Sequence, residues 1–136
     1  MSRYESIREQ IRRNPSLYQL EPCSEKEIAR ERIEGVPEDY IDFLREIGYG
    51  HGGYFHFYGG LVEVDEIYDA CYDEDEHADL QQVLLFGDNG SGDAVGFLTT
   101  DGWALVEIWH DDNLSLHYRE EQSFEEFVRR LFVPNQ

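Results

Sequence analysis

Apolar residues recur every three to four positions through the first third of the chain and then, from residue 54, alternate with polar ones. The clearest helical stretch is VPEDYIDFLREIGYG, where Tyr40, Phe43, Leu44 and Ile47 stand at i, i+3, i+4 and i+7, a stripe with one buried face. Pro37 fits the first helical position, where its missing N–H is no loss. Glu38 and Asp39 suit the positive end of the helix dipole, and Gly48 and Gly50 stop the helix. An earlier helix is predicted from Ser2 to Asn14, with a Ser2–Glu5 capping box and a narrow stripe of Tyr4, Ile7 and Ile11. A short polar helix comes after a second capping box at Ser24 and Glu27, carries Ile28 and Ile33, and ends at Gly35. The chain closes with SFEEFVRRLF, capped by Ser123 and Glu126, with Phe124, Phe127, Val128 and Leu131 as its apolar face.

Between residues 54 and 118 the period is two. YFHFY and LVEV, separated by Gly59-Gly60, read as a hairpin. Residues 65–80 interrupt the strands, with Asp65 as the expected cap of a short helix carrying Ile67 and Cys71. VLLF, AVGFLT, WALVEIWH and LSLHY come next, joined by short turns that imply antiparallel pairing. The expected fold is α+β: N-terminal helices and one C-terminal helix packed as a single layer on one antiparallel sheet. Residues 1–136 read as a single domain, with no repeat and no linker long enough to divide it.

Charge narrows the function. The chain carries 11 Lys+Arg against 30 Asp+Glu, a net of −19. Residues 1–32 hold seven basic against six acidic residues, so the acidic excess lies entirely beyond residue 32. No Lys or Arg stands between Arg45 and Arg119, and all five histidines fall in that gap. Such a surface repels phosphate backbones, so neither nucleic acid nor an anionic membrane is an expected partner. A basic protein is, because a field of this sign steers cations. With no signal-peptide pattern and no apolar run of membrane-spanning length, a cytoplasmic protein is expected. Cys23 and Cys71 then read as free thiols.

Candidate chemistry is sparse. FGDNGSGDAVGF has three glycines and two aspartates within its turn, but no Lys of a phosphate loop and no strand-to-helix switch of a dinucleotide site. Against a calcium loop started at Asp88, Gly90, Gly92 and Thr99 fall where oxygen ligands belong. It reads as a hairpin turn, with Asp88 and Asp93 bonding to loop N–H groups. His110 and His117 stand where they would face each other across a hairpin, with His56 as a third member, but no zinc spacing supports a metal site. No Gly-x-Ser-x-Gly elbow exists, and no carboxylate pair stands out from the rest. No catalytic residue, metal or cofactor is expected.

A feature that does stand out is an acidic block: nine carboxylates from Glu63 to Asp79 without a Lys or Arg, Tyr68 and Tyr72 among them. Asp69, Tyr72, Asp73, Glu74, Asp75, Glu76 and Asp79, with Asp111 and Asp112 on the same edge, are the candidate partner-binding residues. A like-charge run is as readily a solvated loop.

VPEDYIDFLREIGYG, FGDNGSGDAVGFLTTDGWALVEIWHDD and SFEEFVRRL together resemble the SUKH superfamily, which includes the yeast Smi/Knr cell-wall regulators and many bacterial immunity proteins. The resemblance spans about residues 36–132 and rests on Pro37, Tyr40, Phe43, Leu44 and Gly48; on Asp88, Gly92 and Asp93; on Trp109 and Asp111; and on Phe124, Phe127 and Leu131. It implies helices on a curved antiparallel sheet, with Pro37, Gly48, Asp88, Gly92, Asp93, Trp109, Phe124 and Phe127 in structural roles. It also implies a non-enzymatic immunity protein that neutralises a toxin domain, often a nuclease. The alternatives are a regulatory adaptor for a cellular protein, or a metal-dependent hydrolase. The N-terminal helices and the acidic stretch from Asp69 to Asp79 lie outside the resemblance.

Overall fold

Seven strands, each hydrogen-bonded to the next in chain order, make one antiparallel sheet. They are β1 (Tyr18–Glu21), β2 (Tyr49–Gly52), β3 (Phe55–Glu63), β4 (Val83–Asp88), β5 (Ala94–Leu98), β6 (Ala104–Trp109) and β7 (Ser115–Tyr118). The computed structural model describes residues 3–70 and 72–132. The strands from β4 onward lie where the alternation predicts. β1 and β2 are additional, and β3 runs straight through Gly59-Gly60. The hairpin turn is instead at Gly53-Tyr54, where Gly53 takes φ +67; Gly59 and Gly60 have no positive φ and so do not reverse the chain. They coincide with a register shift between Phe57 and Val62 in the β3–β4 pairing. A Cβ at Gly60 would meet the Glu31 carboxylate, which accepts the Leu61 N–H at 2.8 Å.

The helices are α1 (Glu5–Arg13), α2 (Glu25–Arg30), α3 (Glu38–Glu46), α4 (Val64–Ile67) and α5 (Phe124–Leu131), and all but α4 cover one face of the sheet. Tyr40, Phe43, Leu44 and Ile47 are all buried, as is Ile41, which widens the expected stripe. They meet Phe55 and Phe57 of β3, Phe86 of β4, Phe97 of β5, and Phe124 and Phe127 of α5. Many ring pairs are edge-on, such as Tyr40–Phe124 at 5.1 Å and Phe86–Phe124 at 4.9 Å. Such pairs are worth about 0.5–1.5 kcal/mol each beyond the area they bury.

Helix ends refine the sequence reading. Pro37 is the N-cap of α3 rather than its first turn, its carbonyl accepting from Tyr40 and Ile41. Gly48 ends α3 at φ +96, its N–H donating to the Phe43 carbonyl at 2.8 Å. The Ser24–Glu27 capping box forms, but α2 ends at Arg30 and leaves Ile33 exposed. α1 begins at Glu5 with Tyr4 as N-cap; Ser2, and with it the capping box expected there, lies outside the described residues. Ser123 caps α5 through the Glu126 N–H, while the Glu126 carboxylate takes the Gln122 N–H, so that capping box is only half formed.

The opposite face of the sheet is also covered, which a single helical layer does not anticipate. α4 and a 3-10 turn (Ala78–Leu80) set Val64, Tyr68 and Leu80 on Val83, Leu85, Ala94, Leu98, Val106 and Ile108, joined by Leu114. β5 is therefore buried at all five positions. The cap of α4 is Glu63, boxed with Glu66, and Asp65 sits inside the helix, because the chain turns as soon as Val64 reaches the core. Cys71 lies outside the described residues. Among those described, no helix is long and apolar enough to cross a membrane.

Candidate functional site

A meander of this order brings the β2–β3, β4–β5 and β6–β7 turns to one end of the sheet. His56, Asp88, Ala94 and Ile108 form one cross-strand row just inside it. The turn from Asp88 to Asp93 is held by its own side chains. Asp88 Oδ1 accepts the Gly90 N–H at 2.9 Å, and Asn89 Oδ1 accepts those of Ser91 and Asp93. Gly90 and Gly92 take φ +79 and +109, which suits glycine alone at low cost. Asp93 reaches further than expected: its Oδ1 accepts both the backbone N–H and Nδ1–H of His110, the latter at 2.7 Å, and so locks one turn to the next. Burial pushes the Asp93 carboxyl up, but those His110 hydrogen bonds outweigh it and hold it below its ordinary value.

The acidic segment begins at the far end of the sheet and crosses the second face to reach these turns. Tyr68 Oη donates to the Gly92 carbonyl and accepts the buried Ala94 N–H at 3.0 Å. Asp73 Oδ1 accepts the N–H groups of Asp75 and Glu76, folding the run back on itself. His77, only 3% exposed, is the fastening residue. Its Nδ1 accepts the Asp73 N–H at 3.0 Å, so Nε2 carries the proton that faces the Asn113 carbonyl, also at 3.0 Å. Asn113 Nδ2 donates to Glu76, and Tyr72 stacks on the His77 ring. Sequence reasoning misses His77, whose one signal is an imidazole inside a run of carboxylates.

The candidate partner-binding residues thus sit on an ordered surface. Asp69, Asp73, Glu74, Asp75, Glu76 and Asp79 are exposed and Tyr72 is half-buried. The Glu76–Asn113 contact brings exposed Asp111 and Asp112 beside them. On the same segment, Glu63, Asp65, Tyr72 and Glu74 line a mostly polar cavity of about 300 Å³, with Gln81, Gln82 and the buried Val64 and Leu80.

Other chemistry finds less support. Cys23 is free and buried, and burial first, then the charges of Glu27 and Glu31, push its thiol up to about 11, so it is a poor nucleophile. The histidines do not converge. His56 stacks on His51 at 4.7 Å, and His117 pairs with Glu107 across the β6–β7 ladder rather than with His110. Asp93, His110 and Asp111 are the one group of three such side chains, among the described residues, with ligand atoms within 4.8 Å of each other. There His110 Nδ1 is engaged as a donor to Asp93, so the nitrogen nearest the carboxylates offers no lone pair. Ser115 stands between Asp112 and His117, its hydroxyl donating to the carboxylate at 2.9 Å. A nucleophile needs the imidazole to take that proton, so the order is wrong for catalysis. Trp109, expected in a structural role, is 38% exposed at the end of β6.

The helical layer, the sheet and its acidic cover define an α+β domain. By the match of its family model over residues 22–130, the chain belongs to the SMI1 / KNR4 family (SUKH-1). No curated protein and no solved structure matches the chain at a significant level.

Proposed function

We propose that this chain is a non-enzymatic immunity-type protein that neutralises a cationic, nuclease-type toxin domain in the cytoplasm through its acidic surface. Membership in the SMI1 / KNR4 family is consistent with a binding or immunity role. The observation that carries the reading is the fastening of the acidic run: His77, Asp73 and Tyr68 hold its backbone while Asp69, Glu74, Asp75 and Asp79 stay exposed. A solvated charge run needs no such fastening. An ordered one presents carboxylates at fixed positions, which lowers the entropy lost on docking. A nuclease displays basic residues toward its substrate, and a carboxylate-rich surface competes for them.

The test is co-purification from native cells together with toxicity rescue. The expected result is a complex with a basic toxin domain encoded beside this chain, and restored growth when the two are co-expressed. A neighbouring gene of another kind, and no basic protein recovered at low salt, would overturn the reading.

A further inference from the structure

The β6–β7 hairpin carries an aromatic arrangement that neither core uses. Trp109 is exposed, and its ring lies on that of His117 with centroids 3.5 Å apart and planes at 22°. The His117 ring is itself fixed. Ser115 Oγ lies 2.8 Å from His117 Nε2 and gives its single proton to Asp112, so Nε2–H must be the donor to Ser115. Asp112, Ser115 and His117 thus form a relay whose end is the stacked indole. The relay positions Trp109 at the surface without burying it.

The surroundings are anionic. Asp111 and Asp112 come next in the same turn, and the β5–β6 register places Asp93 one step beyond the Ala94–Ile108 pair, opposite Trp109. A cation on this face, Arg119, is held by Glu107 at 2.9 Å and Glu121 at 2.8 Å and lies over the Phe127 ring. It is already neutralised and stacked elsewhere. An exposed indole among carboxylates fits a guanidinium, which stacks flat on an aromatic face while its edge donates to carboxylates. An ammonium does the first less well and lacks the planar fork.

We infer that Trp109, held by the Asp112–Ser115–His117 relay, is an arginine-anchoring platform for the cationic partner. This rests on the reading of the chain as a binder of a cationic partner and names a side chain received at the β6–β7 turn, beside Asp111 and Asp112 and on the helical face of the sheet rather than on its acidic cover. The pre-set ring makes Trp109 the kind of aromatic residue that dominates binding energy at interfaces.

The probe is a tri-arginine amide peptide titrated into the full chain, followed by amide and indole N–H resonances. The Trp109 indole signal should shift saturably while that of Trp103, packed on Phe97, stays still. Trp109→Ala should weaken the peptide by about fivefold, Trp109→Phe by less because a π face remains, and a tri-lysine amide should bind more weakly than tri-arginine. The wild-type indole shift is read without any variant, so a misfolded substitution leaves the test intact. If residues 73–76 shift while Trp109 does not, and Trp109→Ala binds normally, the platform is overturned and the acidic docking surface stands. If no resonance shifts saturably, both fail.

Discussion

His77 and Asn113 are joined ring nitrogen to carbonyl, and this contact ties the acidic segment to the β6–β7 turn. Both nitrogens of the buried imidazole are used, one accepting and one donating. His77→Ala therefore leaves the Asp73 N–H and the Asn113 carbonyl without their partner. The expected loss is about 1–3 kcal/mol in urea unfolding. Hydrogen exchange at residues 73–77 should rise more than the global loss explains. Equal rises everywhere would mean that the fastening is not local.

Tyr68 makes the second attachment, and its hydroxyl serves a buried donor. Tyr68→Phe keeps the ring on Leu85 and Ala94 but strands the Ala94 N–H in the core between sheet and cover. A cost of about 1–3 kcal/mol is expected. Because the ring remains, the change reads the hydrogen bond and not the packing. Denaturant midpoints of the two proteins with equal m-values would make the comparison valid.

These two attachments are the least legible part of the chain. Helices α3 and α5 announce themselves by a fixed period, written in Tyr40 to Ile47 and Phe124 to Leu131, and strands β4 to β7 by apolar runs bounded by turn residues; β5 is buried on both faces and shows no alternation. β1 and β2 do not, since YQLE and YGHG are short and carry few apolar residues. Gly59-Gly60 misleads because glycine marks both turns and close approaches; here the neighbour is Glu31, distant in sequence. The acidic run shows its charge but not its underside, as the pairs Val64–Tyr68 and His77–Leu80 are separated by a run rich in carboxylates that carries no period between them. Trp109 looks like core by type, and only its place at a strand end exposes it.

Acid should loosen the sheet at both ends, at Asp93 in the β4–β5 turn and at Glu121 beyond β7. Burial pushes Asp93 and Glu121 up, yet hydrogen bonds from His110 to the first, and from Arg119 and Arg130 to the second, leave both below their ordinary values. A carboxylate depressed on folding stabilises the fold above its unfolded pKa, near 3.9 for Asp and about 4.3 for Glu. That contribution is lost as pH falls through the lower folded value. Stability should therefore drop below about pH 4. Asp93→Asn should lower neutral-pH stability by about 1–2 kcal/mol and flatten part of the acid slope. An unchanged slope between pH about 2 and 5 would show that the His110 pair contributes nothing there.

Gly48 gives a sharper structural test than any other residue of the family pattern. At φ +96 it ends α3, and a Cβ there would run into the Glu21 carbonyl and the Pro22 backbone. Neither neighbour is the free end of a side chain. Gly48→Ala should thus cost more than 3 kcal/mol, roughly the upper range for a single substitution. It should appear as insoluble or heat-labile protein. Gly102→Ala is the control: φ is also positive, at +61, but the space is open, so its loss should stay near 1 kcal/mol, roughly the conformational penalty alone.

Salt and charge reversal separate the docking surface from its scaffold. Exposed charges are screened over about 8 Å at physiological ionic strength. Association with a basic partner should therefore slow by about tenfold or more as salt rises from low to several times physiological, with dissociation changed less. The residues to reverse are not all equivalent. Asp73 caps the N–H groups of Asp75 and Glu76, and Glu76 holds Asn113, so lysine at either would unfasten the segment as well as change its charge. Glu74, Asp75 and Asp79 are exposed, and their carboxylates take no part in that fastening. The triple variant Glu74→Lys, Asp75→Lys, Asp79→Lys should keep its amide spectrum near that of the parent and lose at least tenfold in association rate, roughly the scale of steering by several charges. Full association by a folded triple variant would move the interface off this surface.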